Sequence, residues 1–215
     1  KHFGSLSGRQ NKRHVHPAKA TGDSKLTSKP VEQVHFCIGT RGYTQYCKDR
    51  YVLAVMDAIL GGGMSSRLFQ EVRENRGLVY TIGSYTASYR EGGMFTVYAG
   101  TSIKNAELVI DLVKKEFETI KKEPVDDAEI TRAKNQIRGA LVLGQESMSN
   151  RMSRMANSEL YFGRIVPVQE VIDAIMQVKA EDVMRVANEL FVDGQIAFAA
   201  VGPFKRVRKG KKEAA

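Results

Sequence analysis

Apolar positions along this chain change period several times, and each change marks an element. Val34, Phe36 and Ile38 alternate with His35, Cys37 and Gly39, a short run compatible with a strand. From residue 46 to 60 the period lengthens, and Tyr51, Val52, Val55, Met56, Ile59 and Leu60 recur on one face of a predicted helix. Gly61-Gly62-Gly63 ends it, and Ser65 or Ser66 is positioned to cap a short second helix that turns Leu68, Phe69 and Val72 inward. Residues 79–89 and 93–100 are rich in Tyr, Thr, Val and Ile around the turn Arg90-Glu91-Gly92-Gly93, which predicts an antiparallel pair.

The rest reads as helix until the last strand. Ile103, Ala106, Val109, Ile110, Val113, Phe117 and Ile120 form one stripe. Asp126, with Glu129 three residues later, has the form of a capping box for a helix carrying Ile130, Ala133, Ile137 and Leu141 as far as Gly144. Further helices are predicted over 148–161, from Pro167 to Met176, and from about Glu181 to Phe191. A final strand spans 195–201 before Gly202-Pro203. A cluster of helices beside a mostly antiparallel sheet is an α+β domain. Residues 7–30 mix Ser, Gly, Lys, Pro and Thr and read as a linker or an extended connector, with order beginning at Val34. The predicted organisation is therefore 1–30 as a preceding tail and linker, 31–203 as the domain, and 204–215 as a basic tail.

Charge alters this picture only at its ends. The net charge is +9, but residues 1–30 carry seven Lys/Arg against one Asp, and 204–215 carry six against one Glu. The stretch between them is slightly acidic, with 20 Lys/Arg against 22 Asp/Glu. No aromatics interleave with the basic ends, so specific nucleic-acid binding is not expected. No apolar run is long enough to cross a membrane, and none is expected to. Cys37 and Cys47 are too few for a disulfide framework and read as reduced thiols. The chain begins at Lys1 with no signal-peptide apolar region, so the cytoplasm is the expected compartment and the mitochondrial matrix the alternative.

The stretch with most chemistry is 66–80, Ser-Arg-Leu-Phe-Gln-Glu-Val-Arg-Glu-Asn-Arg-Gly-Leu-Val-Tyr. Arg73 falls at the end of the short helix, Gly77 where a helix stop belongs, and Tyr80 at the start of the next strand. Both side chains donate hydrogen bonds and neither is a good base at neutral pH, a pairing suited to holding a carbonyl oxygen or a peptide backbone. Taken alone, an Arg and a Tyr seven apart would more commonly be a helix-end cation and a half-buried strand aromatic. The Gly61-Gly62-Gly63 run lacks the Gly-Lys-Ser/Thr ending and preceding strand of a phosphate loop. His14-Val15-His16 offers two ligands at best, and neither His2 nor His35 completes a metal set. Met148, Met152 and Met155 read as core or interface filling.

Taken whole, residues 61–80, continuing through the strands to Gly100, resemble the C-terminal half-domain of the pitrilysin/insulinase zinc peptidases, which include the mitochondrial processing peptidases and their bacterial relatives. The short Gly61-Gly62-Gly63-Met64 run is closer to the β-type or bacterial branch. The resemblance extends less sharply from about Gln33 to Gly202. It implies that Arg73 and Tyr80 form a substrate-binding pair facing a zinc site. It also implies a cofactor, zinc, whose ligands belong to a His-x-x-Glu-His helix with a more distant Glu. No two of the four histidines fit that motif, so the zinc ligands are expected in a preceding N-terminal half or a partner subunit. This chain alone is then expected to be inactive and to associate as a homo- or heterodimer around a peptide substrate. The alternative is a metal-free, chamber-forming or scaffold member of the same family.

Overall fold

The computed structural model describes residues 20–204. The elements follow the order β1 Ser24–Ser28, β2 Val34–Gly42, α1 Asp49–Leu60, a π-helix Phe69–Asn75, β3 Val79–Ser88, β4 Gly93–Thr101, α2 Ala106–Lys122, α3 Asp127–Leu143, α4 Met148–Phe162, α5 Val168–Met176, α6 Ala180–Leu190 and β5 Ala197–Gly202. The fold is α+β. Its single sheet runs β1-β5-β2-β4-β3, antiparallel except for the parallel contact of β1 with β5.

Alternation along the strands decides the two faces of the sheet. Val34, Phe36 and Ile38 of β2 and Phe95, Val97 and Ala99 of β4 point inward and are almost fully buried. Three rings from different elements close the centre: Phe117 of α2 stacks on Phe191 at 4.0 Å, and Phe95 meets both edge-on at 6.1 and 5.6 Å. Helix α1 supplies seven buried residues to the same layer. The opposite face carries His35, Cys37, Tyr85, Met94, Tyr98 and Ala199, all exposed.

Several expectations change at this point. A strand, β1, lies inside the stretch read as linker. Ser24–Ser28 has one apolar residue and no alternation, and its ladder comes from β5, far away in sequence. His14 and His16, most of the 1–30 tail and linker, and residues 205–215 of the basic tail lie outside the described residues. The helix after the glycine run begins at Arg67, directly after Ser66, and widens into a π-helix over Phe69–Asn75, but Ser66 does not cap it with its side chain. Ser66 instead donates its hydroxyl to the Gly63 carbonyl at 2.6 Å. Asp126 is the N-cap of α3 but makes no side-chain cap bond, and the Glu129 carboxylate, the other half of the expected box, is bound by Arg67 instead. Ile103 is outside α2 and more than half exposed. Met148, Met152 and Met155 are 73, 66 and 50% exposed, which removes them from the core and leaves the interface reading.

Candidate functional site

The site is built around the segment that joins α1 to β3. Helix α1 ends where Gly61 and Gly62 both donate backbone N–H groups to the Asp57 carbonyl, at 2.9 and 2.8 Å. Gly61 then lies directly against β3, and its carbonyl accepts from the Ser84 N–H at 3.1 Å. A Cβ added at Gly61 would sit 2.6 Å from the Ser84 nitrogen, so the glycine is required by close approach to a strand. A Gly61→Ala variant is expected to lose about 2 kcal/mol of stability by overpacking, measured by urea unfolding.

Below this contact the Asp57 carboxylate accepts from the Ser84 hydroxyl at 2.5 Å. Burial pushes the Asp57 carboxyl above the usual carboxylate range, and the Ser84 hydrogen bond offsets this only in part. The folded protein therefore holds this proton to higher pH than the unfolded chain does. The contribution is fully present below the unfolded value and is lost as pH rises through the folded one. An Asp57→Asn variant is expected to gain stability relative to the parent chain as pH rises from about 4 to about 7, read from unfolding midpoints across that range.

Arg67 fastens the start of the next turn. Its Nε and NH2 donate to the two Glu129 oxygens of α3 at 2.8 and 2.6 Å, and Glu116 of α2 lies 4.0 Å from NH1. The three side chains are roughly four-fifths buried. Glu129 holds the guanidinium in its charged form, while burial raises the Glu116 carboxyl against the pull of Arg67.

The π-helix Phe69–Asn75 carries Arg73 in its last turn. Arg73 is exposed, and its guanidinium lies 4.9 Å from the centre of the Phe69 ring. Among the described residues no carboxylate pairs with it. Gly77, at φ +59°, closes the turn: its N–H donates to the Arg73 carbonyl, and the Leu78 N–H donates to the Val72 carbonyl.

Tyr80 sits at a β-bulge. Val79 pairs with Thr101 and Thr81 pairs with the next residue of β4, Gly100, so Tyr80 is the extra residue. Val79 and Ile82 point inward, while Tyr80 and Thr81 both fall on the open face. Tyr80 is 68% exposed. Arg73 and Tyr80 therefore occupy the two ends of one turn, each on an irregular backbone element. The sequence placed both residues in the chain but carried no sign of the π-helix, the bulge, the Arg67 clasp or the Asp57–Ser84 bond.

Among the described residues no three His, Cys, Asp or Glu side chains gather as a metal site. His35 is the one described histidine, and its neighbours on the open face include no carboxylate. The residues present do not fit a zinc site. No described helix is long and apolar enough to cross a membrane.

Comparison with known proteins agrees with this fold. Residues 1–137 match the family model described as the peptidase M16 inactive domain. The chain belongs to the peptidase M16 family. It is 36% identical over 193 residues to the uncharacterized zinc protease YmxG of Bacillus subtilis, covering 86% of this chain and 47% of that protein. An uncharacterized zinc protease of Streptomyces coelicolor is 36% identical over 200 residues, covering 93% and 43%. The chain thus spans about half the length of the curated relatives it matches. A protease from Helicobacter pylori shares the fold at a TM-score of 0.81 and 24% identity, covering 93% of this chain and 50% of that one. A peptidase M16 inactive domain from Pseudomonas fluorescens does so at 0.80 and 21%, covering 89% and 46%.

Proposed function

We propose that this chain is the substrate-holding half of a zinc-dependent metalloendopeptidase. Arg73 and Tyr80 hold the peptide backbone and the carbonyl oxygen on which charge develops. The metal and the general base belong to another half, carried upstream on a longer polypeptide or by a partner subunit. The observation that carries the reading is that two donors within one turn are both exposed, and Arg73 has no carboxylate partner among the described residues. A donor aimed at a developing oxyanion has to be free of a competing anion.

The reading also requires a surface for the other half. Met148, Met152 and Met155 leave one side of α4 apolar and exposed, and Leu143 at the end of α3 is 67% exposed. The same surface would serve a scaffold subunit without activity, the second reading.

Cleavage of a mixed fluorogenic peptide library by a polypeptide containing this chain and the other half, with and without a zinc chelator, tests the proposal. Chelator-sensitive cleavage is expected. No cleavage by a well-folded preparation would favour the scaffold reading.

A further inference from the structure

The open face of the sheet is not flat. Lys25, Ala199, Cys37, Tyr98 and Gly83 are register partners on the five successive strands, so they form one row across the sheet. Thr27, Val201, His35, Gly100 and Thr81 form the neighbouring row. Between these rows lies a groove of about 480 Å³. Its floor is low at Ala199, which presents only a methyl group, while Tyr98 and His35 stand higher, the His35 ring lying over Gly100.

The groove crosses four strand spacings of about 4.8 Å, roughly 19 Å in all, the length of about six extended residues. One end is Thr81. The bulge turns Tyr80 and Thr81 to the same face, so the groove ends at the residue that follows Tyr80 in the chain. The other end is Lys25. The lining includes two basic-type side chains, Lys25 and His35, and no Asp or Glu. An apolar floor with a cation at its far end is complementary to an extended chain bearing a carboxylate.

We propose that this groove is a peptide-binding subsite, which takes about six extended residues leading away from Tyr80 and prefers an acidic group at the Lys25 end. The proposal rests on the substrate-holding reading of Tyr80 and adds to it a direction and a charge preference. Specificity comes from side chains, because the backbone groups of the central strands are already paired within the sheet.

Fluorescence anisotropy on this chain tests the groove directly. The probes are two labelled decapeptides of alternating alanine and leucine, one ending in two aspartates and the other in two lysines. The aspartate-ended probe is expected to bind about fivefold more tightly, the effect of a solvent-facing ion pair. Lys25→Glu is expected to invert that preference. Ala199→Leu, a change on an exposed position, is expected to weaken both probes by about tenfold. Equal binding of the two probes, or binding unchanged in Ala199→Leu, would overturn the proposal. So would a longer parent polypeptide in which Cys37, in the middle of the groove, resists alkylation without any peptide, because another segment would then cover the face. Failure of the underlying reading is separable: Tyr80→Phe would then leave kcat of the parent unchanged, whereas failure of the groove alone would leave KM unchanged in Lys25→Glu while Tyr80→Phe still lowered kcat.

Discussion

Replacing Tyr80 by Phe is expected to lower kcat for peptide cleavage by about 10²-fold in a polypeptide that contains both halves, with KM changed little. The phenol hydroxyl is the only group removed, and 68% exposure of the side chain means that packing is hardly altered. An oxyanion donor acts where charge develops, so its loss falls on the chemical step. Arg73→Ala is expected to lose a similar factor. Its guanidinium rests on Phe69 and pairs with no carboxylate among the described residues, so unfolding free energy should stay within about 0.5 kcal/mol of the parent chain. Unchanged kcat in the Tyr80→Phe variant, measured under saturating peptide, would remove the proposed role.

The second large effect is on stability. Arg67→Ala is expected to destabilise the fold by about 3 kcal/mol, because it leaves Glu129 and Glu116 partly buried without their shared cation. In a domain of this size that corresponds to a midpoint lower by roughly 6–12 °C, read by differential scanning calorimetry. Arg67→Lys is expected to recover only part of the loss, since an ammonium cannot reproduce the two parallel bonds to Glu129. Glu129→Gln in the Arg67→Ala background should restore some stability by removing one unpaired charge. Strict additivity of the two changes would show that the clasp carries no coupling.

The elements that were legible in the sequence are those whose apolar pattern is local. Val34, Phe36 and Ile38 announced β2 by alternation, and the stripe from Val109 to Ile120 announced α2. What was not legible depends on partners distant in sequence. Ser24–Ser28 becomes a strand only because β5 offers it a ladder. The Phe69–Asn75 composition suits an ordinary helix, and nothing in it signals the wider turn. The bulge at Tyr80 is defined by counting residues on β4 and is invisible in β3 alone. The Asp126 and Glu129 spacing suggested a reciprocal cap, but a guanidinium from another element is a stronger partner for a carboxylate than a backbone N–H. The exposed methionines of α4 follow helical spacing as faithfully as a core stripe would, so periodicity alone could not assign their surroundings.

The π-helix and the bulge lie on either side of Gly77, and each is a place where the backbone holds one residue more than regular geometry needs. Chain length within 69–81 is therefore a constraint separate from side-chain identity. Deleting one residue from the π-turn would rotate Arg73 by about 100° about the helix axis. Deleting one at the bulge would restore strict alternation between Val79 and Ile82 and leave one residue, not two, on the open face there. Exposed side chains in this segment can be exchanged while the backbone survives, whereas a change of one codon in length would remove one of the two irregular turns that carry the donors.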